Sequence, residues 1–127
     1  MSFATDINTL MNANSTINAL VTGLYFQNAP DNTALSSEFV VFNYELIDDI
    51  SSFDAYNEMD IYKLDIGIFG GDTVSTNNIT EAFRNYLDNY QTSSFRDVRI
   101  ISDERGIDGE KEQYSTILEY RIIYKST

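Results

Sequence analysis

The stretch Met59-Asp-Ile-Tyr-Lys-Leu-Asp-Ile-Gly-Ile-Phe69, then Gly70-Gly71-Asp72, then a polar run opening into Ile79–Tyr90, decides the fold. In its first part Tyr62, Leu64, Ile66 and Ile68 alternate with Lys63, Asp65 and Gly67. Successive side chains of a strand point to opposite faces, so the alternation predicts a strand with one buried face. Past the glycine pair the period changes. Ile79, Ala82, Phe83, Tyr86, Leu87 and Tyr90 recur three and four apart, which is one stripe of a helix. Thr76, Asn77 and Asn78 offer oxygens to the free amides of a first turn, with Glu81 placed after Asn78 as in a capping box. Strand, glycine corner and helix make one packing unit, the helix lying on the apolar face of the strand.

Working outward, Glu38–Ile47 alternates in the same way, with Val40, Phe42, Tyr44 and Leu46 against Asn43 and Glu45. The acidic segment Asp48–Asn57, which carries Phe53 and Tyr56, is too long for a tight turn and reads as an extended hairpin loop. Further upstream, Phe3, Ile7, Leu10 and Met11 form a helical stripe with Ser2 or Thr5 as cap. Asn12–Asn14 interrupts it, and Ser15 caps a second turn bearing Ile17, Leu20 and Val21, which Gly23 ends as a C-terminal glycine. Leu24–Phe26 is a short extended piece, and Asn28–Ser37, around Pro30, is an irregular loop. Downstream, Phe95–Ser102 reads as a third strand with Val98 and Ile100 on one side and Arg99 and Ile101 on the other. Asp103–Lys111 is a second polar hairpin loop. The last strand is Gln113–Tyr124, with Tyr114, Leu118, Tyr120, Ile122 and Tyr124 turned inward. The expected architecture is α+β and two-layered, a four-stranded antiparallel sheet of two hairpins with helices on one face, in the order α-β-β-α-β-β. Its outward face carries Asn43, Glu45, Lys63, Asp65, Glu119 and Arg121.

At 127 residues and 43% hydrophobic content the chain reads as a single domain, residues 1–127, with enough apolar mass for a core. It has neither Cys nor His, which removes disulfides, thiolate metal sites and the usual general base. Gly70-Gly71 is not followed by the Gly-Lys-Ser/Thr of a phosphate loop, and there is no Gly-x-Ser-x-Gly elbow. The carboxylates Asp103, Glu104, Asp108, Glu110 and Glu112 miss the EF-hand spacing. Asp48, Asp49, Asp54, Glu58 and Asp60 lack an adjacent Lys or His for two-metal chemistry. The expectation is a non-enzyme with no catalytic residues, no metal and no cofactor. No secretory signal and no apolar run near ~20 residues is present, so the chain reads as soluble and unattached to a membrane.

The net charge is −12, from 20 acidic against 8 basic residues. Duplex DNA carries about one negative charge per ~1.7 Å and is held by proteins that neutralise it. A subunit this acidic is repelled by DNA. The charge fits plain solubility, a surface that must stay off nucleic acid, or one that imitates it.

The order of elements, with the run Ala19-Leu-Val-Thr-Gly-Leu-Tyr25 through Ala29-Pro30, resembles the small tail-completion proteins of tailed bacteriophages (tail terminator, tail-to-head joining or minor tail proteins). Phe39–Phe42, the strand Tyr62–Phe69 and the Ala82/Phe83–Leu87 stripe extend the resemblance over most of the chain. Ser36-Ser37 stands where the family usually has proline, and the acidic hairpin loop is a second departure. The resemblance implies a virion protein of the tail or neck, assembled in the host cytoplasm. It implies a homohexameric ring that caps the tail tube, ends its growth and docks on the head connector. The partners it implies are other copies of the chain, the tail tube protein and the connector or neck proteins, with DNA passing through but not held. On that reading Asp48, Asp49, Phe53, Asp54, Tyr56 and Glu58 are expected at a subunit or tube interface, and Glu45, Asp65 and Glu119 on an acidic bore or sheet face. The rival reading from charge is a small acidic DNA mimic that blocks a host nucleic-acid enzyme. A mimic acts as a monomer or dimer, whereas a terminator closes a ring.

Overall fold

The computed structural model describes residues 2–30, 37–49, 59–108 and 113–125. In chain order it contains α1 Phe3–Asn12, α2 Ser15–Leu20, β1 Gly23–Phe26, β2 Phe39–Asp49, β3 Met59–Gly70, α3 Thr73–Leu87, β4 Phe95–Asp108 and β5 Gln113–Lys125. The alternating stretch is the middle strand of one sheet ordered β1-β2-β3-β5-β4. β3 pairs antiparallel with β2 on one side and β5 on the other, and β4 completes the second hairpin against β5. Leu64, Ile66 and Ile68 of β3 are fully buried beneath α3, whose Ile79, Phe83 and Leu87 are buried in turn. The inward residues of β2 (Val40, Phe42), β4 (Val98) and β5 (Leu118, Tyr120, Ile122, Tyr124) extend this core, and α1 closes it with Ile7, Leu10 and Met11. Phe3 fixes the start of α1 by stacking on Tyr62 at 3.7 Å and meeting Tyr44 and Tyr124 edge-on at 5.1 and 5.0 Å.

The sheet has five strands and is mixed, not four and antiparallel. The short piece after α2 is a true strand, pairing parallel with the start of β2 from Gly23↔Phe39 to Phe26↔Phe42. Thr22 opens that pairing by donating from both its amide (2.7 Å) and its hydroxyl (2.8 Å) to the Glu38 carbonyl. Gln27 closes it, its amide donating to the Phe42 carbonyl at 2.8 Å while its φ of 71° turns the chain away. Gly23 is therefore not a helix cap. α2 ends at Leu20 with extended Val21 beyond it, and Gly23 lies under the Tyr25 phenol, where an added Cβ would sit 2.1 Å from Oη.

Two further boundaries differ. α3 begins at Thr73, capped by Asp72, whose Oδ1 accepts from the Ser75 amide at 2.7 Å, and not near Asn78. Thr76 and Thr80 then lie inside the helix, buried because their hydroxyls donate back to the carbonyls of Asp72 (2.8 Å) and Thr76 (2.9 Å). β4 runs on to Asp108, so Asp103–Asp108 is paired strand opposite Gln113–Leu118.

Candidate interaction surface

Away from the helices the sheet presents a polar face built by strand parity. Its register sets Glu45, Lys63, Arg121 and Arg99 in one row across β2, β3, β5 and β4, and Asn43, Asp65, Glu119 and Ser102 in the next. The three acids expected on this face, Glu45, Asp65 and Glu119, are thus brought together, but around a cation. Lys63 Nζ lies 3.6 Å from Glu45 Oε1 and 3.6 Å from Asp65 Oδ2. The Asp65 charge, then that of Glu45, with Glu119 adding, holds the Lys63 ammonium above its ordinary pKa. At such exposure the pairs contribute little stability; they order the face. Beside them Phe39 stacks on Phe69 at 5.1 Å. The Phe69 ring crosses Gly67, where an added Cβ would lie 2.9 Å from it.

A second charged group ties α3 to the edge strand β4. Arg84 donates to Asp88 at 2.8 Å and to Asp103 at 2.9 Å. Arg105 donates to Asp103 at 3.1 Å and to Asn77 at 3.0 Å, with Glu81 at 3.8 Å. The hydrogen bonds from Arg105, and then its charge and Arg84, hold the Asp103 carboxyl below the usual range against the effect of burial. The Tyr120 hydroxyl donates to Asp88 at 2.6 Å, and burial foremost, then that bond, pushes its pKa well up. Tyr124 is pushed up in the same way, by burial and by its hydrogen bond to Asp6. Sequence reasoning missed this group. The signal was the alternation of Asp103 and Arg105 with Glu104 and Gly106, which is strand-like although no apolar side chain marks it.

The groove of about 280 Å³ between α1, α3 and the start of β4 is lined by Asp6, Leu10, Tyr86, Tyr90 and Phe95. Two of its polar groups are engaged in packing: Asp6 accepts from Tyr124, and the Tyr86 hydroxyl donates to the Leu10 carbonyl at 2.9 Å. Among the described residues no three acidic side chains gather as a metal-binding set, and no helix is long and apolar enough to cross a membrane.

The strand directions matter more. β2 and β3 are joined beyond Asp49 and Met59 at one end of the sheet, whereas β4 and β5 are joined beyond Asp108 and Gln113 at the opposite end. Asp48 and Asp49 are the last residues of β2, their side chains outside the described set. Phe53, Asp54, Tyr56 and Glu58 lie outside the described residues altogether. Near the first end Leu46 and Ile47 are exposed, and toward the second Ile107 and Ile117.

No protein-family model matches the chain, and no curated protein matches it. Among solved structures, a chain of the virion of a native gene transfer agent particle superposes with a TM-score of 0.72 at 13% identity. The match covers 94% of this chain and 92% of that one. At this identity the likeness establishes a shared fold.

Proposed function

We propose that this chain is a structural protein of a virion, a subunit of a ring that caps the tail tube, ends tail growth and joins the tail to the head connector. The observation that carries the proposal is the end-to-end fold match with a chain of the gene transfer agent virion. The polar sheet face and the two hairpins leaving opposite ends of the sheet fit such a part. One end faces the tube and the other the connector. Phe53, Tyr56, Asp48, Asp49, Asp54 and Glu58 are the residues this reading assigns to contact with a neighbour or the tube. The net charge of −12 lets DNA pass the ring without being held. The chain works in the tail or neck of the particle, among six copies of itself, tail tube and neck proteins, and performs no catalysis. The DNA-mimic reading rests on net charge alone. Lys63 between Glu45 and Asp65, and Arg121 beside it in the same row, break up the acidic surface a mimic needs. Particles produced without this chain should show unjoined heads and tails of uncontrolled length in electron micrographs, restored by supplying it. Uniform, head-bearing tails in its absence would overturn the proposal.

A further inference from the structure

We infer that copies of this chain meet edge to edge, the outer edge of β4 pairing antiparallel with the outer edge of β2 in the next copy, so that one sheet continues into the next around the ring. The inference rests on the ring reading above and specifies the contact that closes it.

Both edges are open among the described residues. β1 covers β2 only as far as Phe42, so from Asn43 to Asp49 no described strand flanks it. No described strand pairs with the outer side of β4. An open edge is a template for another strand, and soluble proteins guard it with charged side chains, Pro or bulges. The register slips at Arg96 in β4, and two of the three slips carry isoleucine, Ile47 in β2 and Ile101 in β4. These isoleucines are 47% and 50% exposed, beside Leu46 at 53%.

Charge selects the partner as a second copy. The row Glu45, Lys63, Arg121, Arg99 begins with an acid at the β2 edge and ends with two arginines facing each other at the β4 edge. Like charges directly opposite are unfavourable, and the Arg99 side chain, 71% exposed, reaches Asp97 only at 3.4 Å. Glu45 at the other end is 67% exposed. Setting the β4 edge of one copy against the β2 edge of the next brings Arg99 toward Glu45.

Direction agrees. β2 and β4 run opposite ways along the sheet, so copies rotated about an axis along the strands meet antiparallel. The contact is heterologous and closes when the rotation divides the circle. It also sets all the β2–β3 loops on one rim and all the β4–β5 loops on the other.

The test is a charge swap read by native mass. Glu45→Arg alone and Arg99→Glu alone should each raise the concentration needed for assembly at least tenfold. Glu45→Arg does so although it makes the subunit less acidic. The double variant, with net charge restored, should return to within threefold of the parent. As a second readout, Glu45→Cys with Arg99→Cys in this cysteine-free chain should give, with a short bis-maleimide, a covalent ladder up to the full ring. Each single cysteine should stop at the dimer. Rings that persist in both reversals and yield no ladder overturn the edge pairing and leave the ring reading standing. If the parent never assembles, on tail tubes or off them, both fail.

Discussion

Phe83→Ala tests whether α3 is seated as described. Phe83 lies mid-stripe between Ile79 and Leu87, and all three are at most 1% exposed above the inward residues of β3 and β5. A phenylalanine buries roughly 150–250 Å², which at ~25 cal/mol/Å² is about 4–6 kcal/mol for the whole side chain. Alanine keeps the share of one methyl, and the cavity adds a cost of its own, so the expected loss is about 3–5 kcal/mol. With an unfolding entropy of ~2.1 cal/mol/K per residue over 127 residues, the melting temperature should fall by roughly 10–20 °C. Urea melts followed by far-ultraviolet circular dichroism and by tyrosine fluorescence read this directly, since the chain has nine Tyr and no Trp. Val74→Ala, on the same helix but 69% exposed, should stay within ~0.5 kcal/mol. A loss under ~1 kcal/mol for Phe83→Ala, or an equal loss for Val74→Ala, would refute the placement of the helix.

Three more outcomes follow from the charged and phenolic groups. Tyr86, Tyr120 and Tyr124 hold their protons more tightly in the folded chain, burial being the first cause in each. Their contribution to stability is complete below about pH 10 and is lost as pH rises, because the unfolded chain ionises first. Part of the phenolate absorbance should thus appear only as tertiary circular dichroism is lost, and ionisation of all nine tyrosines in the folded state would contradict this. Asp103 is shifted the other way, so its contribution is complete above about pH 4 and disappears as pH falls. Asp103→Asn should cost about 1–3 kcal/mol at pH 7 and flatten the acid limb of urea-melt stability; an unchanged limb would count against the Arg84 and Arg105 pairing. Duplex DNA should not be retained in gel shifts even at low ionic strength, where the Debye length is ~30 Å at 0.01 M and repulsion is strongest. A salt-sensitive complex would contradict that.

The sequence made the centre of the fold legible because there burial is one-sided and periodic. Tyr62 to Ile68 and Ile79 to Leu87 each show their own period, and the structure places both where those periods put them. It hid β1, because four residues are too few to display alternation and their partner lies well along the chain at Phe39–Phe42. It hid the first turns of α3, because Thr76 and Thr80 look like loop residues until their hydroxyls bond back to the helix. It hid the second half of β4, whose inward side chains pack as ions, Asp103 and Arg105 against Arg84, Asn77 and Glu81. The acids of the sheet face were found, but not that Lys63 sits between two of them, since that depends on cross-strand register.

The central claim is that this acidic subunit closes a ring, and its most direct test is native mass across concentration, salt and added tail tubes. Subunits of charge −12 repel one another, so dilute low-salt solutions should hold monomer or mixed species. Higher concentration, screening salt or tail tubes should yield a species of six times the 14.5 kDa subunit mass. A monomer under every one of these conditions would contradict the account.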